Sequence, residues 1–191
     1  MELMLKVAIT KVCNADSAGA VGIACLTIYL YDIPGRSVKK ISSELLIKLS
    51  KIPSIIGVKD ATSDLAAPMN VVLNCGKNFI QLSGEDATFL AFLINGGVGC
   101  ISVTANVTPR LCAQIYNSWI NRQIDESMRL NQRLFILNKA LFLETSPCPV
   151  KYALSKLKRC KNILRLPLTS VTKSTMLEID KALRSLNLIK K

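Results

Sequence analysis

Between residues 26 and 103, short apolar runs alternate with longer stretches patterned at helical spacing, and this alternation constrains the fold more than any other feature. The short runs are apolar on both faces rather than on one. Parallel strands covered by helices look like this, whereas antiparallel strands with one wet face alternate polar and apolar residues.

Leu26-Thr27-Ile28-Tyr29-Leu30-Tyr31 predicts a first strand, closed by the turn residues Pro34 and Gly35. Ile41, Leu45, Leu49 and Ile52 then recur at helical spacing until Pro53. Ser54 to Val58 predicts a second strand, Leu65 to Leu73 a helix, Phe79 to Leu82 a third strand, Ala87 to Ile94 a short helix and Val98 to Val103 a fourth strand. After Asn106 the pattern is helical throughout. Thr108 is placed to cap a helix begun by Pro109, with Leu111, Ile115 and Trp119 on one stripe. Leu130, Leu134, Leu137 and Leu141 form a second stripe, and helices follow around Tyr152 to Leu157 and Thr175 to Leu186, with Pro147, Pro149 and Pro167 at the breaks.

The expectation is an α/β chain: a partial TIM (β/α)8 barrel, the C-terminal half of one, over residues 1–122 with 1–25 divergent, then a C-terminal helical region over 123–191. An open α/β sheet is the alternative. A closed eight-unit barrel takes about 250 residues. Four strands cannot close, so this reading leaves two exposed edges and an uncovered interior unless another chain supplies the missing units.

The chain has 191 residues and is 50% hydrophobic, which is enough apolar material for a sizeable core. Its longest uncharged apolar run, Ala18 to Tyr31, is short of the roughly 20 residues a membrane-spanning helix needs and holds two glycines. Lys6 and Lys11 before it imitate a secretory signal only faintly, because Glu2 and Asp16 interrupt the pattern. The cytoplasm is the expected compartment and no membrane the expected partner. Seven cysteines, widely spaced and without a CxxC pair, predict neither a disulfide framework nor a zinc site but buried reduced thiols. Histidine is absent, which excludes Ser-His-Asp and Cys-His catalysis and His-ligated metal.

The net charge of +12 is concentrated at one end: residues 151–191 hold eleven Lys and Arg against Glu178 and Asp180. Tyr152 is the one aromatic residue in that stretch, so it lacks the stacking platforms of a nucleic-acid surface and reads as solvated helix faces.

Lys59 ends the second predicted strand, where barrel enzymes place catalytic groups. Partial burial there would favour the free amine that attacks a ketone to form an imine. The alternative is a solvated lysine opening a loop, balanced by Asp60. Tyr31 holds the corresponding end of the preceding strand, as a proton shuttle for such chemistry or as a rim aromatic. Arg36 offers a fork for a substrate carboxylate, or is an isolated surface cation.

Several segments, in order, resemble signatures of the dihydrodipicolinate synthase and N-acetylneuraminate lyase superfamily. They are Tyr31-Asp32-Ile33-Pro34-Gly35-Arg36-Ser37, Ile56-Gly57-Val58-Lys59-Asp60-Ala61 and Leu82-Ser83-Gly84-Glu85-Asp86, followed by Gly96 to Val103 with Asn106-Val107. Leu141 to Pro147, Pro149-Val150-Lys151 and Leu164 to Leu168 continue the match to the C-terminus.

The resemblance implies that Lys59 forms a Schiff base with pyruvate, that Tyr31 donates and accepts protons, and that Gly84 and the Ile101 backbone contact the substrate. Arg36 favours a synthase condensing pyruvate with L-aspartate 4-semialdehyde, in diaminopimelate and lysine biosynthesis, over a sialic-acid lyase. No metal or organic cofactor is implied, and a homotetramer is. Two family motifs are absent: a glycine- and threonine-rich segment that binds the pyruvate carboxylate, and a double tyrosine completing the proton relay. Ala18-Gly19-Ala20-Val21-Gly22 faintly resembles the approach to the latter. Hence the competing expectation of a degenerate, non-catalytic chain.

Overall fold

The computed structural model describes residues 6–10 and 27–190, so the Ala18–Gly22 segment, like Cys13 and Cys25, lies outside the described residues. By its internal contacts the chain divides into two units, Met1–Ile101 and Ser102–Lys191.

The first unit is built on one sheet in sequential order: β1 (Lys6–Thr10), β2 (Thr27–Asp32), β3 (Ile55–Asp60), β4 (Ile80–Ser83) and β5 (Gly99–Cys100). Strands β2 to β5 are parallel, as the apolar runs predicted. Two features differ from expectation. Strand β1 pairs antiparallel with β2, Lys6 opposite Tyr31 and Thr10 opposite Thr27, so β2 is not an open edge. The strand expected over Val98–Val103 is only two residues long, because the chain leaves the sheet after Cys100.

Between the strands lie α1 (Pro34–Ser37), α2 (Ser43–Leu49), α3 (Ala67–Cys75) and α4 (Phe89–Ile94). Ser42 starts α2 by accepting the Leu45 N–H at 3.2 Å. Leu30, Ile55, Val58, Val71 and Phe79 form the core between sheet and helices, with Ile41, Leu46 and Leu49 packed against it. Gln81 is buried on this helix-facing side, its amide donating to the Pro68 carbonyl at 3.1 Å and tying β4 to α3.

The second unit is helical: a 3-10 turn at Thr104–Asn106, then α5 (Pro109–Ile120), α6 (Ile124–Ala140), α7 (Cys148–Lys156) and α8 (Lys173–Ser185). Within this unit α5 packs on α6. Thr108 precedes α5 but makes no side-chain cap bond, unlike the threonine that opens α8. Leu130, Leu134 and Leu137 of the predicted stripe are buried, with Leu137 and Leu141 at 0% exposure. Of the described cysteines Cys148 is buried, Cys75, Cys100 and Cys112 are half-buried and Cys160 is exposed, which corrects the expectation of buried thiols. Among the described residues no helix is long and apolar enough to cross a membrane.

Leu137→Ala leaves a cavity at a fully enclosed position and should lower the stability of the fold by about 2–5 kcal/mol in chemical denaturation. A second anchor is polar. Glu144 accepts the Thr172 N–H at 2.9 Å and the Thr172 hydroxyl at 2.8 Å, and Thr172 in turn caps α8. The Thr172 N–H holds the Glu144 carboxyl below its usual range. A depressed folded-state pKa contributes stability that is complete above the unfolded value and fades as pH falls through the folded one. Glu144→Ala should therefore destabilise at neutral pH, and thermal melts should converge with wild type on acidification below about pH 4.3.

Candidate active site

The carboxyl ends of the four parallel strands meet along one row. Register pairs Tyr31 with Lys59, Lys59 with Leu82 and Leu82 with Gly99. One residue further on, Asp32, Asp60, Ser83 and Cys100 align in the same way. The row is closed by backbone bonds that run from strand to strand: Ala61 N–H to the Asp32 carbonyl at 2.8 Å, Gly84 N–H to Asp60 at 2.6 Å and Ile101 N–H to Ser83 at 2.8 Å. The loop starts that bear the candidate residues are therefore fixed by the sheet itself.

Successive side chains alternate between faces, so Tyr31 and Lys59 project away from the helix-facing core while Asp32 and Asp60 project toward it. Both Tyr31 and Lys59 are half-buried, and the Lys59 ammonium sits 3.9 Å from the centroid of the Tyr31 ring. That is close enough for a cation–π attraction to orient the amine.

Gly84 is what lets the lysine stem lie there. A Cβ at this position would stand 3.0 Å from the Lys59 Cε and 2.8 Å from the Ala61 Cβ, tighter than ordinary contact. Ile101, half-exposed beside Ser83, ends the row.

On the opposite face the structure gathers groups that sequence reasoning did not connect. Asp32, Lys40, Asp60 and Asp64 border a cavity of about 190 Å³ floored by Val58, Leu46 and Val71. Lys40 Nζ donates to Asp64 Oδ2 at 2.7 Å, which raises the lysine and lowers the carboxyl from their usual ranges. Asp64 also accepts from the Ala66 and Ala67 N–H groups at 3.1 and 3.3 Å. Asp32 is buried, and that burial pushes its carboxyl up; its two oxygens face the Ile41 N–H, each at 3.3 Å. The available signal was the alternation itself, since Asp32 and Asp60 directly follow Tyr31 and Lys59.

Tyr31, Lys59, Gly84 and Ile101 thus come together on adjacent strand ends. Arg36 lies on α1, exposed, in the loop leaving β2, with its N–H donating to the Ile33 carbonyl at 2.9 Å.

Comparisons with known proteins give the family. The model of the dihydrodipicolinate synthetase family matches residues 20–186. The 4-hydroxy-tetrahydrodipicolinate synthase of Rhodospirillum centenum is 51% identical over 150 residues, covering 78% of this chain and 52% of the relative. The dihydrodipicolinate synthase of Aquifex aeolicus superposes with a TM-score of 0.81 at 32% identity, over 84% of this chain and 55% of that one. The chloride-inhibited enzyme of Acinetobacter baumannii, complexed with pyruvate, gives 0.80 at 31% identity over the same shares. The chain spans about half the length of these relatives. Its parallel strands and helices are a partial (β/α)8 barrel with a helical region after it, and the chain belongs to the dihydrodipicolinate synthetase family.

Proposed function

We propose that this chain carries the imine-forming part of a Schiff-base lyase site, condensing pyruvate with L-aspartate 4-semialdehyde. The observation that carries the reading is the pairing of Lys59 with Tyr31 at the carboxyl ends of β3 and β2, ammonium over ring at 3.9 Å. The A. baumannii relative, which holds pyruvate, supports the choice of first substrate.

In this reading the neutral Lys59 amine attacks the pyruvate carbonyl carbon. The C–N bond forms, the carbonyl oxygen is protonated and leaves as water, and loss of a methyl proton gives the enamine. The enamine carbon then attacks the aldehyde, forming the new C–C bond, and the imine is finally released by transfer to the product's own amine. The Tyr31 hydroxyl is the group on this chain that moves protons in these steps. Gly84 keeps the space the lysine stem needs, the Ile101 backbone faces the bound pyruvate, and Arg36 meets the carboxylate of the second substrate. We place the protein in the cytoplasm, acting with further copies of itself and needing neither metal nor organic cofactor.

A second reading is that the chain is a non-catalytic member of the family, in which Lys59 takes up no pyruvate.

Borohydride reduction in the presence of pyruvate, followed by peptide mass spectrometry, separates the two. The catalytic reading predicts a reduced pyruvyl adduct on Lys59, abolished in Lys59→Met, slowed about 10²-fold or more in Tyr31→Phe and diminished in Gly84→Ala. Absence of an adduct from the folded wild-type chain selects the non-catalytic reading.

A further inference from the structure

We infer that Lys40 and Asp64 are positioning residues that clasp the loop bearing Arg36, and so set the affinity for the second, carboxylate-bearing substrate without taking part in pyruvate capture. The substrate half of this inference rests on the function proposed above; the clasp itself does not.

The loop in question leaves β2 after Asp32 and returns to the sheet side at Ile41. It opens with the single turn of α1, whose Ser37 and Val38 N–H groups donate to the Ile33 and Pro34 carbonyls at 2.9 Å. It then passes through Val38, a β-branched residue at φ +64° that is 88% exposed. Left-handed backbone is costly for an L-residue and a genuine outlier for a branched side chain. An exposed valine buries nothing to offset that cost. Something downstream must hold the loop in this path.

The Ser37 hydroxyl lies 2.8 Å from the Lys39 carbonyl across Val38, and beyond it two contacts at consecutive residues tie the loop to the sheet and to the loop after β3. The Ile41 N–H faces the buried Asp32 carboxylate, and the Lys40 ammonium donates to Asp64 across the cavity. An isolated exposed ion pair contributes little. Here, however, Lys40 is the one cation among the described residues that line a cavity bordered by Asp32, Asp60 and Asp64, so every carboxylate there draws on it. Asp64 is itself held by two backbone N–H groups at the start of α3, so the clasp fastens the loop after β2 to the loop after β3. Those are the loops that follow Tyr31 and Lys59. Arg36 lies between the sheet and the clasp, four residues before Lys40, and its placement depends on both ends.

The Arg36–Ser37 peptide bond lets trypsin report the loop directly. With the full chain, Asp64→Asn and Lys40→Met should each accelerate cleavage after Arg36 about fivefold, because the local opening they permit is worth about the coupling of a networked pair. Lys40→Arg should behave as wild type, and the double variant should match Lys40→Met, since that substitution already removes the partner of Asp64. Cleavage after Arg133 in α6 should not change. In the borohydride assay both single variants should keep wild-type pyruvate labelling of Lys59. Chase of the enamine by aspartate semialdehyde should need about fivefold more of that substrate in each, the same loss of placement as above.

Unchanged cleavage after Arg36, additive effects in the double variant, or equal acceleration at Arg133 would each overturn the clasp. Wild-type labelling with an unaltered semialdehyde requirement would overturn its substrate role. If wild type itself takes no label, the catalytic reading fails while the trypsin rates still decide the clasp.

Discussion

Everything specific about this molecule depends on the parallel pairing of β2 with β3. One residue of register slip would move Tyr31 and Lys59 off the same row and exchange the faces on which their neighbours lie. The register is set by apolar burial on the helix side, where Leu30 pairs with Val58 at 0% and 3% exposure. It is locked at the strand ends by the Ala61 and Gly84 N–H groups, which continue the ladder past the last paired residues. The core therefore chooses the register, and the register creates the site.

The two faces of the strand ends divide the labour. One presents Tyr31 and Lys59 with the space kept by Gly84. The other turns Asp32 and Asp60 toward α2 and α3, where carboxylates would be costly if they were not hydrogen-bonded or opposed by Lys40. Burial raises the Asp32 carboxyl nonetheless, so the clasping face holds a group at a less favourable ionisation than water would give it. Such a cost is common where polar groups fix loop geometry near a site.

The sheet and most helices were legible because parallel strands that are apolar on both faces announce themselves as short apolar runs between amphipathic stretches. Lys59 and Tyr31 were legible as strand ends. What stayed hidden depends on long-range pairing. Strand β1 lies far outside the alternating region and antiparallel to it, and nothing local in Lys6–Thr10 encodes its partner. Asp64 meets Lys40 across 24 residues of chain, a contact that only the docking of two loops creates. The substrate contact expected at Gly84 came from family resemblance, while the reason a glycine suits the position, the Lys59 stem 3.0 Å from where a Cβ would be, is created by the pairing of β3 with β4. Val38 gave no signal at all, since a valine does not announce a positive φ.

Register places the Lys59 amine over the Tyr31 ring, 3.9 Å from its centroid, and proton NMR reads that placement. The Lys59 Cε protons should be shifted upfield by the ring, show nuclear Overhauser contacts to its protons, and return to ordinary shifts in Tyr31→Leu. Ordinary Cε shifts in wild type, with no contact to the Tyr31 ring, would contradict it.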